Sequence, residues 1–297
     1  MIIKEGMVLL DLPSLYEGKG PGKRSGVYYS KMQTITRDLT VVILKNYFRE
    51  GFTALDLLAG SGVRGLRIER ECGGKVTINE KNPYAREFIL RNREINNSNA
   101  EITDYDAKIC FPKKKFDYID IDPYGSPVPF IDLSLKSIKN NGIIGLTTTD
   151  LPNLAGTNRN KSIMLYHAQG ERNYLKHEIG VRILWKYIME KAMEYELFID
   201  PILTYFGGYY YRIFFRVEKG SKKSFAMLEK IQEIYNINNK KIGPIWIGNI
   251  HNHEFLREMK IDDYIENKEK IENLIKISKH ENTLFFYSLE ELSKRAG

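Results

Sequence analysis

Residues 53–67, TALDLLAGSGVRGLR, decide how the chain is read. The first seven are largely apolar and end at a glycine, as a strand buried in a sheet does. Gly60, Gly62 and Gly65 follow at G-x-G-x-x-G spacing, and a helix begins among them. Glycine is needed where backbone turns tightly or approaches a ligand closely. Strand, glycine loop and helix in that order make the first β–α unit of an open, mostly parallel sheet.

The alternation continues outward. Strand KVTINE (75–80) leads to helix PYAREFILRNREIN (83–96), and AEITDYD (100–106) is a short strand before a lysine-rich loop. Strand FDYIDID (116–122) precedes a Pro/Gly turn, helix PFIDLSLKSIK (129–139) and strand GIIGLTTTD (142–150). Helical spacing recurs at 34–48 and 176–195. Aromatic and β-branched strands at 200–208 and 209–217 meet at Gly207-Gly208, a hairpin signal. The predicted fold is α/β. A Rossmann-like domain with a terminal antiparallel hairpin spans residues 1–218, and a smaller α+β domain spans 219–297. KGSKKS (219–224) reads as the linker, with a helix near 225–235, an apolar GPIWIG patch (243–248), a helical stretch at 253–280 and a final FFYSLEEL (285–292).

At 297 residues the chain has room for about two domains of roughly 150 residues. With 42% hydrophobic and 28% charged residues it has an ordinary water-soluble balance. No stretch of about 18 uncharged apolar residues occurs, which argues against a membrane span. The first residues lack a secretory pattern. Two cysteines, Cys72 and Cys110, are too few for a disulfide framework or a four-thiolate zinc site. They suggest a reducing compartment, the cytoplasm. The net charge of +7 favours polyanionic partners. Part of it lies in EGKGPGKRSG (17–26) and the VYYSK that follows, where Lys19, Lys23, Arg24 and Lys31 surround Tyr28 and Tyr29. This segment reads as a basic arm able to close over a phosphate-rich ligand and offer rings for stacking.

Glu80 ends the second strand, where a carboxylate can accept both ribose hydroxyls of a bound nucleotide. Nicotinamide, flavin and S-adenosylmethionine (SAM) proteins share that arrangement. Asp56, four residues before Gly60, favours SAM, whose methionine amine it would face. Asp106, ending the third strand, can accept from an adenine amino group, and Ala107 leaves room for the base. Arg37, Arg64 and Arg67 flank the cleft. Arg64 falls in the first helical turn, where the helix dipole disfavours a cation, which suggests a carboxylate partner such as the methionine end of SAM.

Asp122-Pro123-Tyr124-Gly125-Ser126-Pro127 follows a strand at the carboxyl edge of the sheet, where α/β folds bind ligands. An exocyclic amine on a base is a poor nucleophile because its lone pair is delocalised into the ring. The Asp122 carboxylate and the Pro123 carbonyl can hold its two N–H groups, and Tyr124 can stack on the base. Such positioning can supply roughly 7–11 kcal/mol.

With these residues in hand, the chain resembles the tRNA (guanine26-N2)-dimethyltransferase family. The resemblance is carried by EGKGPGKRSGVYYS (17–30), TRDLTVVIL (36–44), LDLLAGSGVRGLR (55–67), NEKNPYA (79–85), DPYGSPVPFID (122–132), TTTDLPNLAGT (147–157), KHEIGVRIL (176–184) and GPIWIG (243–248). It implies SAM as donor, the N2 amine of guanine 26 in tRNA as acceptor, and two successive transfers. It places SAM contacts on Arg37, Arg64 or Arg67, Glu80, Asp106 and Ala107, the catalytic aspartate on Asp122, and base-flanking aromatics on Tyr28 and Tyr124. The family's VFYNP reads VYYSK here, and the cysteine cluster that many members carry after the 200–217 strands is absent, so no metal is expected. The family's C-terminal domain, taken to contact tRNA, usually continues beyond FFYSLEELSKRAG. Three readings compete with this one: methylation of a different tRNA base, a nicotinamide dehydrogenase, and a non-catalytic RNA-binding protein.

Overall fold

The computed structural model describes residues 1–14, 26–109, 111, 113–235, 241–278 and 284. Lys19, Lys23, Arg24, Cys110 and FFYSLEEL lie outside the described residues.

The elements in chain order are β1 (Ile2–Glu5), β2 (Val8–Asp11), α1 (Thr34–Tyr47), β3 (Thr53–Asp56), α2 (Val63–Cys72), β4 (Lys75–Asn79), α3 (Pro83–Ile95), β5 (Glu101–Thr103), β6 (Phe116–Ile121), α4 (Val128–Ser137) and β7 (Ile138–Thr148). They continue as α5 (Leu151–Leu154), α6 (Arg159–Tyr166), α7 (Lys176–Met193), β8 (Leu197–Phe206), β9 (Tyr211–Lys219), α8 (Ser221–Ala226), β10 (Ile231–Tyr235), β11 (Lys241–Trp246), α9 (His253–Glu258) and α10 (Lys268–Ser278). Seven strands form one sheet in the order β5-β4-β3-β6-β7-β9-β8. Neighbours from β5 to β7 run parallel, and β9 is antiparallel to both β7 and β8. The α/β reading with a terminal antiparallel hairpin therefore holds. Strand order reverses at β3, which opens a crevice at the carboxyl ends of β3 and β6.

Successive strand residues feed opposite faces, as a two-residue period requires. Leu55, Ile119 and Ile144 enter one buried cluster with α4 and α7, including the fully buried Trp185. Ala54, Tyr118 and Ile143 enter a second with α1, α2 and α3. Trp185 Nε1–H donates to Thr204 Oγ1 at 3.1 Å, so its polar atom is satisfied inside the core.

Two segments differ from expectation. Residues 2–11, to which the sequence reading assigns no element, form a hairpin turning at Gly6 (φ +54) and packed on α3 through Asp11 N–H to Asn92 Oδ1 (2.6 Å). Beyond β9, helix occupies 221–226 where a linker was expected, and residues 231–235 are a strand paired with β11, not helix. The spacing of FAMLEKIQEIY suits a helix, but edge pairing and packing of Ile231 and Ile234 on the first cluster override it. After residue 219 the chain shares both cores. Met227, Ile242, Ile245 and Trp246 join the first, and Leu256, Ile265, Ile271 and Ile275 the second. Asn267 also donates to Asp38 of α1 from its backbone and side chain (3.0 and 2.7 Å).

Candidate active site

The loop between β3 and α2 needs its glycines for different reasons. Gly60 and Gly62 adopt φ +57 and +76, where a β-carbon is strained. A β-carbon on Gly60 would also lie 2.9 Å from the Tyr28 carbonyl, so the chain after Gly26 crosses directly over the loop. Gly65 lets α2 approach Ile78 of β4. Asp56 Oδ2 accepts from Gly65 N–H at 2.9 Å, pinning the loop from below. Burial, and then the neighbouring Asp120, push the Asp56 carboxyl up to about 7.

Glu80 lies beside the loop. Its Oε2 accepts from Gly60 N–H and its Oε1 from Asn82 N–H, both at 2.8 Å. Asp106 accepts from Lys81 Nζ (2.6 Å) and Lys108 N–H (3.1 Å), and the Lys81 hydrogen bond holds its carboxyl below the usual range. Glu80, Asp106 and Ala107 line one cavity of about 260 Å³, together with Leu58, Tyr105 and Phe130. Sequence reading named the first three. Phe130 went unnoticed because an aromatic in a helix looks like core until the cavity beside it is seen.

The three arginines are each held by carboxylates of the chain itself. Arg37 is gripped by Glu5, Nε to Oε1 at 2.7 Å and Nη2 to Oε2 at 2.6 Å, and donates to the Ser30 carbonyl at 2.9 Å. Arg67 is wholly buried among Glu5, Asp38 and Glu71 at 3.0, 2.8 and 2.8 Å. Its guanidinium is taken up by these three carboxylates inside the fold. Arg64 does have a carboxylate partner, but from the chain. Its Nη2 lies 2.5 Å from Asp122 Oδ2 and its Nε 3.1 Å from Asp120 Oδ1. Thr40 Oγ1 accepts from its Nη1 at 3.0 Å. Asp120, fully buried, is also held by Arg212 (2.5 Å) and by Tyr118 Oη. Burial alone would raise the Asp120 carboxyl; Arg212 and Arg64 hold it below the usual range. Glu5 and Asp120 escaped notice because their partners lie tens of residues away in sequence.

Asp122 stands where β6 ends, partly open to the crevice. Pro123 is buried, and its carbonyl accepts from no described residue. Tyr124 is 61% exposed. Gly125, at φ +88, is bracketed by Thr148 and Thr149: its N–H donates to Thr149 Oγ1 (2.8 Å) and its carbonyl accepts from Thr148 Oγ1 (3.0 Å). Ser126 Oγ and Tyr166 Oη are 2.8 Å apart, and Tyr166 O–H donates to Asp150 Oδ2 at 2.7 Å. The TTTD segment thus scaffolds the DPYGSP turn.

Tyr28, half-buried, faces the same spot. Burial, then the charges of Asp122 and Tyr209, push its phenol up. Tyr209, just past the Gly207-Gly208 turn, adds a ring that sequence reading had assigned only to a strand; the signal was three consecutive tyrosines at a hairpin. The crevice thus joins a carboxylate-lined cavity, a glycine loop, and a carboxylate and carbonyl ringed by tyrosines. That combination can hold a nucleoside-bearing donor on one side and a flat amine-bearing base on the other. Among the described residues, no group of three His, Cys, Asp or Glu could hold a metal.

The sequence profile of the family described as "N2,N2-dimethylguanosine tRNA methyltransferase" matches residues 17–240. A tRNA (guanine(26)-N(2))-dimethyltransferase of Thermoplasma volcanium is 34% identical, over 100% of this chain and 86% of that protein. A tRNA (guanine(26)-N(2)/guanine(27)-N(2))-dimethyltransferase of Aquifex aeolicus is 30% identical, over 99% and 85%. The solved structure of Trm1 from Pyrococcus horikoshii in complex with S-adenosyl-L-methionine superposes with a TM-score of 0.87 at 27% identity, covering 99% of this chain and 87% of that one.

Proposed function

This chain belongs to the N2,N2-dimethylguanosine tRNA methyltransferase family, and from that premise we propose how its residues methylate the guanine amine. It is a SAM-dependent tRNA (guanine(26)-N2)-dimethyltransferase. The observation that carries the assignment of residues is the position of Asp122: at the carboxyl end of β6, clamped by Arg64 from the helix that follows the glycine loop.

The cavity suits the adenosine part of the cofactor. Glu80 would accept ribose hydroxyls and Asp106 an adenine amino group, and Ala107 and Phe130, which line the same cavity, would flank the base. SAM, when bound, supplies a methyl group on a positively charged sulfur. The chain's own residues prepare the acceptor. Asp122 has one oxygen fixed by Arg64, which leaves the other for an N–H of the guanine N2 amine, and the Pro123 carbonyl takes the second N–H. Holding both favours a pyramidal nitrogen, which withdraws the lone pair from conjugation with the ring and aims it at the donor. After transfer the nitrogen carries a surplus proton, and Asp122 is the acceptor at hand. A second round needs only one N–H, so the same pair serves for dimethylation.

Tyr28 and Tyr124 flank the base once it has left the RNA stack, and Tyr209 closes the third side. Arg37 braces the segment carrying Tyr28, and Asp56 the loop. The partner is tRNA, and we take residues 219–297 to contribute to its binding. The chain acts in the cytoplasm, a setting consistent with the buried free thiol of Cys72. No helix among the described residues is long and apolar enough to cross a membrane.

The test of this assignment is Asp122→Asn, assayed for methyl transfer to unmodified tRNA and, separately, for SAM affinity. Lost transfer with retained affinity supports it; parallel loss refutes it.

A further inference from the structure

We propose that a groove between α6 and β11 binds the tRNA backbone close to the target guanine; this rests on the tRNA-methyltransferase reading above. The groove has a volume of about 630 Å³, and Arg159, His167 and Arg172 line it along with Ile163. Glu171 and the ion pair of Lys241 with Glu233 (2.6 Å) form the rest of its charged rim. Its floor is tied by reciprocal backbone hydrogen bonds between Gln169 and Gly243 (2.8 and 2.9 Å).

Charge selects the occupant. Arg159 and Arg172 are exposed, and neither makes an ion pair with a described residue. An exposed arginine at a protein surface commonly leans on a neighbouring carboxylate. Two guanidiniums in one groove, neither ion-paired to a described residue, are suited to phosphate, which a guanidinium fork can grip with two hydrogen bonds. The apolar surface beside them suits riboses and bases: Met164 is 77% exposed on the same helix and Ile163 44%.

Position selects the part of the RNA. Tyr166, the last residue of α6, is fully buried and reaches Ser126 of the DPYGSP turn at 2.8 Å. The next residue, His167, lines the groove. Lys186 Nζ donates to the carbonyls of Tyr166 and His167 (3.3 and 3.1 Å), which fixes the junction. A phosphate in this groove is therefore one side chain away from the turn that bears Asp122, and the segment between β7 and α7 reads as the bearing surface for nucleotides flanking the flipped guanine.

The experiment measures binding of unmodified tRNA to the full chain across a salt series, with methyl-transfer kinetics and SAM affinity alongside. The double variant Arg159→Gln/Arg172→Gln should weaken tRNA binding on the order of tenfold and flatten the log–log salt slope by about 1.5. SAM affinity and kcat at saturating tRNA should stay at wild-type level. Arg159→Lys/Arg172→Lys, which keeps the charge, should restore the slope. Wild-type slope and tRNA KM in the Gln variant, with the wild-type chain methylating tRNA normally, would overturn the groove proposal and leave the parent reading standing. A wild-type chain that binds SAM but methylates no tRNA would overturn both.

Discussion

Arg64 Nη2 lies 2.5 Å from Asp122 Oδ2, which joins the first turn of α2 to the end of β6. The same guanidinium reaches Asp120 at 3.1 Å, and Asp120 is held in turn by Arg212 of β9. Opposite charges alternate from β9 to the crevice: Arg212, Asp120, Arg64, Asp122. The unfavourable placement of a cation in a first helical turn is offset by two carboxylates. The aspartate proposed to meet the guanine amine is therefore positioned by the helix that follows the glycine loop.

Arg64→Lys should keep the charge but lose the fork that spans Asp120 and Asp122. Methyl transfer should fall on the order of a hundredfold while SAM affinity changes little. Arg64→Gln should fall further and also lose stability, because the partly buried Asp122 loses its ion pair and the buried Asp120 keeps only Arg212. Equal kcat in wild type and the lysine variant would show that the fork does not orient Asp122.

Asp122→Asn preserves shape and removes the proton acceptor. Loss of one general base typically costs about 10²–10⁴ in rate, and calorimetry should find SAM binding intact. A variant that retains more than a tenth of wild-type kcat would place the proton acceptor elsewhere.

Glu80→Gln should weaken SAM and leave tRNA affinity alone. Hydrogen bonds to a charged group contribute about 1.5–3 kcal/mol, so the SAM Kd should rise at least tenfold. The check is isothermal calorimetry with SAM, and an unchanged Kd would remove Glu80 from the cofactor site.

Glu5 governs an acid-sensitive part of stability. Burial alone would raise its carboxyl, but the charges and hydrogen bonds of Arg37 and Arg67 outweigh this and lower it from 4.5 to about 2. A folded value below the unfolded one contributes stability that is full above pH 4.5 and fades as pH falls toward 2. The shift corresponds to about 3 kcal/mol. Urea midpoints of wild type and Glu5→Gln should differ most at neutral pH and converge through that acid window. A gap independent of pH would show that the ion pairs contribute nothing beyond packing.

The parts of the site that local sequence could reveal were those built locally. The glycine loop, Glu80 and the DPYGSP turn each follow the end of a strand, and strands repeat with a legible period; Asp106, expected to end the third strand, lies three residues beyond β5. The arginines were harder to place. A cation such as Arg67 looks the same in sequence whether its partner is a ligand or a carboxylate 62 residues away, as Glu5 is. Tyr209 was hidden for the opposite reason: three adjacent tyrosines satisfy strand propensity, and only the hairpin's place beside β7 turns one of them toward Asp122. Residues 231–235 were misread because their helical spacing is real and loses only to pairing with β11.

The most direct measurement uses the purified chain, isotope-labelled SAM and two unmodified tRNA transcripts, one with guanine and one with adenine at position 26, each digested to nucleosides for mass spectrometry. The account predicts labelled N2-methyl- and N2,N2-dimethylguanosine from the first transcript and neither from the second. Label on another base, on another atom of guanine, or in equal amount from both transcripts would contradict it.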